Sequence, residues 1–303
     1  MKTLIVGGTG MIGTHTAVHL REQGHDVTVA ARRTPDAEST AAQFPVLLGD
    51  YAQGTFTAAD LEGFDSIVFA AGNDIRHVPR DADTSEFWES TQSGGVPNFV
   101  ALAREAGVEC VVQIGSYYHQ VKPELAETNP YVEARRRADE DSRALATDGF
   151  RVITLNPPSI LGLIPGRPVR GFAKTLAWAD GQLPNVPNFA PAGGTNYLSV
   201  RSLAQAVSGA LEKGESGKAY LVGDVNLTFT EYFQMVFDAA GSAIRLEERD
   251  EEHPFLPDAF IVPGRGFVLS YEPDAADTAL LGYDRDDAER AVAEMVALTR
   301  ASA

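Results

Sequence analysis

Residues 4–13, Leu-Ile-Val-Gly-Gly-Thr-Gly-Met-Ile-Gly, constrain this chain more than any other stretch. An apolar strand runs directly into closely spaced glycines and then into an amphipathic segment. Gly8, Gly10 and Gly13 satisfy Gly-x-Gly-x-x-Gly, and Gly7, Gly10 and Gly13 satisfy the wider Gly-x-x-Gly-x-x-Gly spacing. In either register the early glycines turn the chain sharply, the middle one admits a pyrophosphate to bare backbone, and Gly13 lets helix close on strand. The helix opening at Met11 and Ile12 aims free N–H groups and the positive end of its dipole at that anion. Residues 2–6 read as a buried strand, 14–23 as a helix ended by Gly24, and 26–31 as a second strand. Together they form one βαβ unit, and the spacing predicts dinucleotide binding rather than a merely structural turn.

Strand-like apolar runs recur at 46–48, 66–70, 110–114 and 151–155, each followed by helix-like or loop sequence. That alternation predicts an α/β fold, a Rossmann-type doubly wound parallel sheet with helices on both faces. The longest helical candidates between strands are 86–105 and 131–147. After residue 156 the texture changes, with prolines and glycines clustered at 156–171 and 181–194. The expected organisation is a dinucleotide-binding domain over 1–156 and a smaller substrate-capping region over 157–303, interwoven with the first. Residues 196–200 read as a short strand before a helix at 202–212, 219–222 as another strand, and 286–299 as a closing amphipathic helix.

Composition narrows the partners. With 42 acidic and 25 basic residues the formal net charge is -17, which argues against nucleic-acid and anionic membrane surfaces. No apolar run is long enough to span a bilayer, and a cytoplasmic location is expected. The single cysteine, Cys110, excludes an intramolecular disulfide and a cysteine-based zinc site. His253 beside Asp250, Glu251 and Glu252 lacks regular ligand spacing and reads as a solvated loop, so no metal is expected.

The second strand ends Ala30-Ala31-Arg32-Arg33, with no acid before Asp36. An Asp or Glu there would grip a ribose 2′-hydroxyl, whereas guanidinium forks suit a 2′-phosphate, so NADP(H) is favoured over NAD(H). Asp50, with Tyr51 beside it, is placed to meet the adenine. Ala70, Ala71 and Gly72 would let the cofactor lie close to backbone at the end of the fourth strand.

Ser116 ends the fifth strand, and Tyr131 opens the next helix with Arg135 four residues on, on the same face. With these residues the chain resembles the extended short-chain dehydrogenase/reductase family, also called the NAD-dependent epimerase/dehydratase family. The likeness extends through Asn156-Pro157-Pro158-Ser159-Ile160-Leu161-Gly162 and Tyr197-Leu198-Ser199-Val200. It implies that Ser116 and Tyr131 bind the substrate oxygen and that Pro158, Ser159 and Ile160 lie beside the nicotinamide. It also implies a homodimer formed through the two long helices. Arg135 departs from the family's lysine, which holds the nicotinamide ribose and lowers the tyrosine pKa. Arginine supplies the same field with a planar fork in place of a point charge. Gln92 departs from a family asparagine that helps to orient the lysine, and weakens the implied proton relay. Arg136 and Arg137 point off the Tyr131 face, towards solvent or an interface.

Tyr117, Tyr118 and His119 are either substitute proton donors or structural loop residues. Trp88, Phe172, Trp178, Phe189 and Tyr197 either wall an apolar substrate pocket or are core. Three functions compete on these residues. The leading one is an NADP(H)-dependent oxidoreductase interconverting alcohol and carbonyl on a small or medium apolar substrate, with Tyr131 moving the proton. The others are a sugar-nucleotide epimerase or dehydratase, and a catalytically silent dinucleotide sensor, because one scaffold hosts all three.

Overall fold

The computed structural model describes residues 1–79, 81–164, 167 and 169–302. Part of the first proline and glycine cluster, Pro165, Gly166 and Pro168, lies outside the described residues. The chain divides into two compact units: 1–157 with 201–222 and 273–283, and 158–200 with 223–272 and 284–303.

The first unit is built on a seven-stranded sheet. In chain order its strands are β1 (Lys2–Val6), β2 (Asp26–Ala31), β3 (Val46–Leu48), β4 (Ser66–Phe69), β5 (Cys110–Ile114) and β6 (Arg151–Asn156). The second unit supplies β7 (Ser159–Leu161), β8 (Phe189–Pro191) and β9 (Gly194–Ser199) before the chain returns to the first for β10 (Ala219–Leu221). The sheet order is β10-β6-β5-β4-β1-β2-β3, and every pairing is parallel. Leu4, Ile5, Ile67, Val68, Val111, Val112, Val152 and Ile153 are all fully buried, so adjacent residues on opposite pleat faces are both covered. Burial on both faces explains why these strands read as unbroken apolar runs.

Sequential strands β1, β2 and β3 run one way from β1, while β4, β5 and β6 run the other. That reversal puts a crevice at the carboxyl ends of β1 and β4, the general ligand position of open parallel sheets. The glycine turn, Ala70–Gly72 and Ser116 follow the carboxyl ends of β1, β4 and β5.

The expected helix over 86–105 is in three parts: a helical turn at Thr84–Trp88, a π-turn at Glu89–Ser93, and a helix at Gly95–Glu105. The interruption has a local cause. Gly94 N–H reaches back five residues to Glu89 O at 2.9 Å, and a Cβ on Gly95 would stand 1.8 Å from Ser90 O. Beyond it Val96, Phe99, Val100 and Ala103 are buried at helical spacing in the core of this unit. The helix Pro130–Arg143 starts where Asn129 Oδ1 accepts from the Tyr131 and Val132 N–H groups, with Pro130 at the first helical position.

In the second unit β9 pairs antiparallel with β11 (Val225–Thr228) and parallel with both β7 and β13 (Val268–Leu269), while β12 (Glu247–Arg249) pairs parallel with β8. Its core gathers Phe172, Leu176, Trp178, Tyr197, Phe233, Phe237 and Val292. Phe172, Trp178, Phe189 and Tyr197 are buried here, the core alternative of their two sequence readings. His253 corrects the solvated-loop expectation. It is 0% exposed, packed against Trp178 at 4.7 Å and edge-on to Phe189 at 5.1 Å between ring centroids. Its Nε2 meets Pro187 O at 3.2 Å, and its Nδ1 accepts from Phe255 N–H at 3.2 Å, which together fix a neutral tautomer. Among the described residues no His, Cys, Asp and Glu group is arranged to hold a metal, and no helix is long and apolar enough to cross a membrane.

Candidate active site

The glycine turn is built as a cradle. Gly7 has φ +82°, the left-handed region that favours glycine, and a Cβ there would stand 2.8 Å from the Ala71 backbone. A Cβ on Gly13 would stand 2.3 Å from Gly7 O, so the helix lies against the turn as closely as bare backbone permits. Gly10 caps the helix Met11–Glu22 without a side-chain hydrogen bond, and no acid occupies its first turn. The first N–H groups at Met11 and Ile12 therefore lack the usual capping side chain, and the local field favours an anion. These features fit a dinucleotide pyrophosphate.

Arg32 and Arg33 directly follow β2, are exposed, and form no ion pair among the described residues. Asp50 spends one carboxylate oxygen on Ala52 N–H at 3.0 Å, capping the short turn Tyr51–Gln53. Tyr51 is held by its hydroxyl within the first unit. Its hydroxyl lies 2.9 Å from both Ala71 O and Thr91 O and accepts from Asn73 Nδ2 at 3.2 Å. Burial pushes its phenol up to about 12, so it stays a neutral pin joining the end of β4 to the π-turn.

Tyr131 and Ser116 occupy adjoining parts of the first unit. Ser116 is buried at the end of β5 with its N–H on Asn156 Oδ1 at 2.8 Å. Tyr131 is buried between Trp88 at 5.2 Å and Tyr118 at 6.2 Å. Neither the Ser116 hydroxyl nor the Tyr131 hydroxyl has a protein hydrogen-bond partner among the described residues, and neither is sealed from solvent. Trp88 is buried and packs on the Tyr131 ring. Tyr118, tilted against Tyr117 at 4.3 Å between ring centroids, has its phenol raised by burial and by its neighbours Tyr117 and Tyr131, and is a neutral donor. His119 is bound to Asp139 at 2.9 Å.

Arg135 is buried and makes three hydrogen bonds: Nη1 to Gln92 Oε1 at 3.2 Å, Nη2 to Ile114 O at 3.0 Å, and Nη2 to Gly115 O. A guanidinium has five N–H groups, so two remain. A Cβ on Gly72 would stand 3.1 Å from Nη1, so the fork lies directly against the backbone after β4. No carboxylate pairs with Arg135 among the described residues, and its Nε is buried without a partner. Gln92 in turn donates through Nε2 to Asn73 O at 2.9 Å. Arg135 and Gln92 thus meet each other, and the amide ties the cation to the backbone after β4. Arg136 and Arg137 face outward in surface pairs with Glu133, Glu140, Glu89 and Asp141.

Asp139 went unnoticed in the sequence. It continues the face of Tyr131 and Arg135 by one more interval of four, and that periodicity is the one signal that marks it. Burial raises its carboxyl, but hydrogen bonds from His119 and Arg143 outweigh this and hold it down to about 2. Pro158 precedes β7, and Ser159 and Ile160 lie on it, in the second unit.

A parallel sheet with this turn, strand-end serine and helix-borne tyrosine defines a nucleotide-binding Rossmann enzyme. The model of the NAD dependent epimerase/dehydratase family matches residues 3–223, and the chain belongs to that family. It is an NAD(P)-dependent enzyme of the extended short-chain dehydrogenase/reductase type. It is 25% identical over 254 residues to sterol demethylase protein B of Methylococcus capsulatus, covering 80% of this chain and 75% of that protein. It is 23% identical over 245 residues to a Synechocystis sp. protein whose name proposes a dihydroflavonol 4-reductase, covering 74% and 68%. Among solved structures, MoeE5 in complex with UDP-glucuronic acid and NAD superposes with a TM-score of 0.73 at 19% identity over 100% of both chains, a likeness of fold.

Proposed function

We propose that the protein is an NADP(H)-dependent oxidoreductase that interconverts an alcohol and a carbonyl on a small or medium apolar substrate. The observation that carries this reading is the pair of unpartnered hydroxyls, Ser116 and Tyr131, beside Trp88 and near the parallel strand ends. Ser116 donates a hydrogen bond to the substrate oxygen. Tyr131 gives that oxygen its proton during reduction and recovers it during oxidation. A bound nicotinamide supplies the hydride chemistry. Gly7, Gly10 and Gly13, with the N–H groups of Met11 and Ile12, hold the pyrophosphate. Asp50 and Tyr51 bound the adenine side, and Ala70, Ala71 and Gly72 lie along the dinucleotide. Arg135 contributes a fixed positive field and offers its remaining Nη1 donor to ribose.

Arg32 and Arg33 favour NADP(H), being unpaired cations in place of the acid that a 2′-hydroxyl needs. The apolar substrate class is supported by the Phe87, Trp88, Tyr131 and Tyr118 rings and by relatives named for a sterol and a dihydroflavonol. A homodimer through helices Gly95–Glu105 and Pro130–Arg143 belongs to the same reading. The ion-paired outer face of the latter makes such an interface polar, and light scattering decides it.

The direct test follows absorbance at 340 nm with NADPH and separately NADH across aldehydes, ketones and diketones. NADPH-selective turnover is expected. Stoichiometric NAD on the purified protein, with turnover of a sugar nucleotide, would replace this reading with the epimerase one. Cofactor binding with no turnover on any carbonyl would favour the sensor.

A further inference from the structure

Behind the two hydroxyls lies a buried polar chain that the proposed chemistry does not use. A Cβ on Gly115 would stand 1.8 Å from Asn156 Oδ1, so the amide of Asn156 fills the space under the end of β5. That oxygen accepts from Ser116 N–H at 2.8 Å. The Nδ2 of Asn156 donates to Gln120 Oε1 at 2.9 Å and to Asp139 Oδ2 at 3.1 Å. Asp139 is 0% exposed, and its other donors are His119 Nε2 at 2.9 Å and Arg143 Nε at 2.5 Å. Arg143 is itself fixed to Gly217 O at 3.0 Å. With Asp139 ionised, His119 carries its proton on Nε2, and its buried Nδ1 has no partner.

The connectivity is what matters. Asp139 stands on the helix that presents Tyr131, while Asn156 ends β6 and grips the backbone of Ser116. A single carboxylate thus joins the segment carrying one hydroxyl to the segment carrying the other. A buried carboxylate receiving charged and neutral donors from three elements is held in one geometry, because releasing any donor leaves a desolvated polar group.

We propose that Asp139 is a positioning residue: through Asn156 it holds the backbone at Ser116 in register with the Tyr131 helix and so sets the separation of the two hydroxyls, given the reading that both meet the substrate oxygen. Asn156 is the second member of the device. The exchange Asp139→Asn with Asn156→Asp reverses the amide and the carboxylate while keeping an acceptor for Ser116 N–H, a donor between the two side chains and one negative charge in the cluster.

The test applies hydrogen exchange and steady-state kinetics to the intact protein as wild type, D139N, N156D and D139N/N156D. In D139N the peptides covering residues 113–118 are expected to exchange roughly tenfold or more faster, with β1 to β4 unchanged. Turnover of the carbonyl compound that wild type reduces fastest is expected to fall roughly ten- to a hundredfold, with KM and NADPH affinity nearly unchanged. N156D behaves likewise, and the double variant recovers most of both losses. Wild-type exchange at 113–118 in D139N overturns the proposal, whatever the activity. So does acceleration spread evenly over the sheet, which marks a merely structural carboxylate, and so does failure of the double variant to recover exchange. Full turnover in Tyr131→Phe would instead overturn the assignment of the hydroxyls, while exchange at Ser116 still decides the role of Asp139.

Discussion

The two units bury their histidines in opposite ways. In the first, His119 shares a buried carboxylate with Arg143 and Asn156 and leaves its second nitrogen unpartnered. In the second, His253 is boxed by Trp178, Phe189, Phe233 and Phe255, and both nitrogens are satisfied by backbone. Burial is common to both, so burial alone does not distinguish them. What differs is the immediate partner: His119 meets a buried carboxylate, Asp139, while His253 is surrounded by rings and meets only backbone groups. Buried charge is costly to hold, and its placement in the segment that carries the unpartnered Ser116 and Tyr131 hydroxyls is what the proposed site rests on.

The contrast breaks most sharply under deletion of charge. Asp139→Leu strands Arg143, His119 and the Asn156 amide, and a loss of about 3–5 kcal/mol is expected in urea unfolding, as for other broken buried pairs. A loss under 1 kcal/mol would show that this network is replaceable. Next in size is the cofactor edge of the same unit. Arg32→Ala with Arg33→Ala is expected to weaken NADPH by about 1.5–3 kcal/mol in a fluorescence titration, the range for hydrogen bonds to charged groups, and to leave NADH nearly unchanged. Equal weakening of both would remove the 2′-phosphate assignment.

The smallest effect belongs to the second unit. His253→Phe keeps the aromatic box filled, and a cost below about 1.5 kcal/mol is expected near pH 8. Burial lowers the His253 pKa from its ordinary 6.5, against a smaller opposing contribution from Pro187. The unfolded chain therefore binds this proton more readily than the folded one. The contribution of His253 to stability is fully present above pH 6.5 and is lost as pH falls from there towards the lowered folded value. His253→Phe should flatten the acid side of the stability profile, and an unchanged profile would contradict a neutral buried imidazole.

Much of the first unit was legible because its information is local. The strands β1, β4, β5 and β6 are buried on both faces and read as apolar runs, and the glycine turn is specified by residues within one turn of chain. The helix that Tyr131 opens was legible to within one residue of its observed start at Pro130, and Ser116, Tyr131 and Arg135 came from positions defined by that helix and by the end of β5. Asp139 was hidden because its partners arrive from two other elements, and an aspartate on a charged helix resembles solvated surface. The π-turn that brings Gln92 to Arg135 depends on the Gly94-Gly95 pair, whose effect on helix phase is invisible to a periodicity reading. In the second unit β12 is Glu-Glu-Arg with all three residues exposed, and has no apolar signal at all. The acids around His253 disguised a ring whose partners, Trp178, Pro187 and Phe189, lie more than sixty residues upstream.

The central claim is that the Tyr131 hydroxyl moves the proton. Replacing Tyr131 with Phe and measuring NADPH-dependent turnover alongside the melting temperature tests it most directly. Turnover reduced about 10²–10⁴-fold, with melting temperature and NADPH affinity close to wild type, is the predicted result. Wild-type turnover in Tyr131→Phe would contradict it.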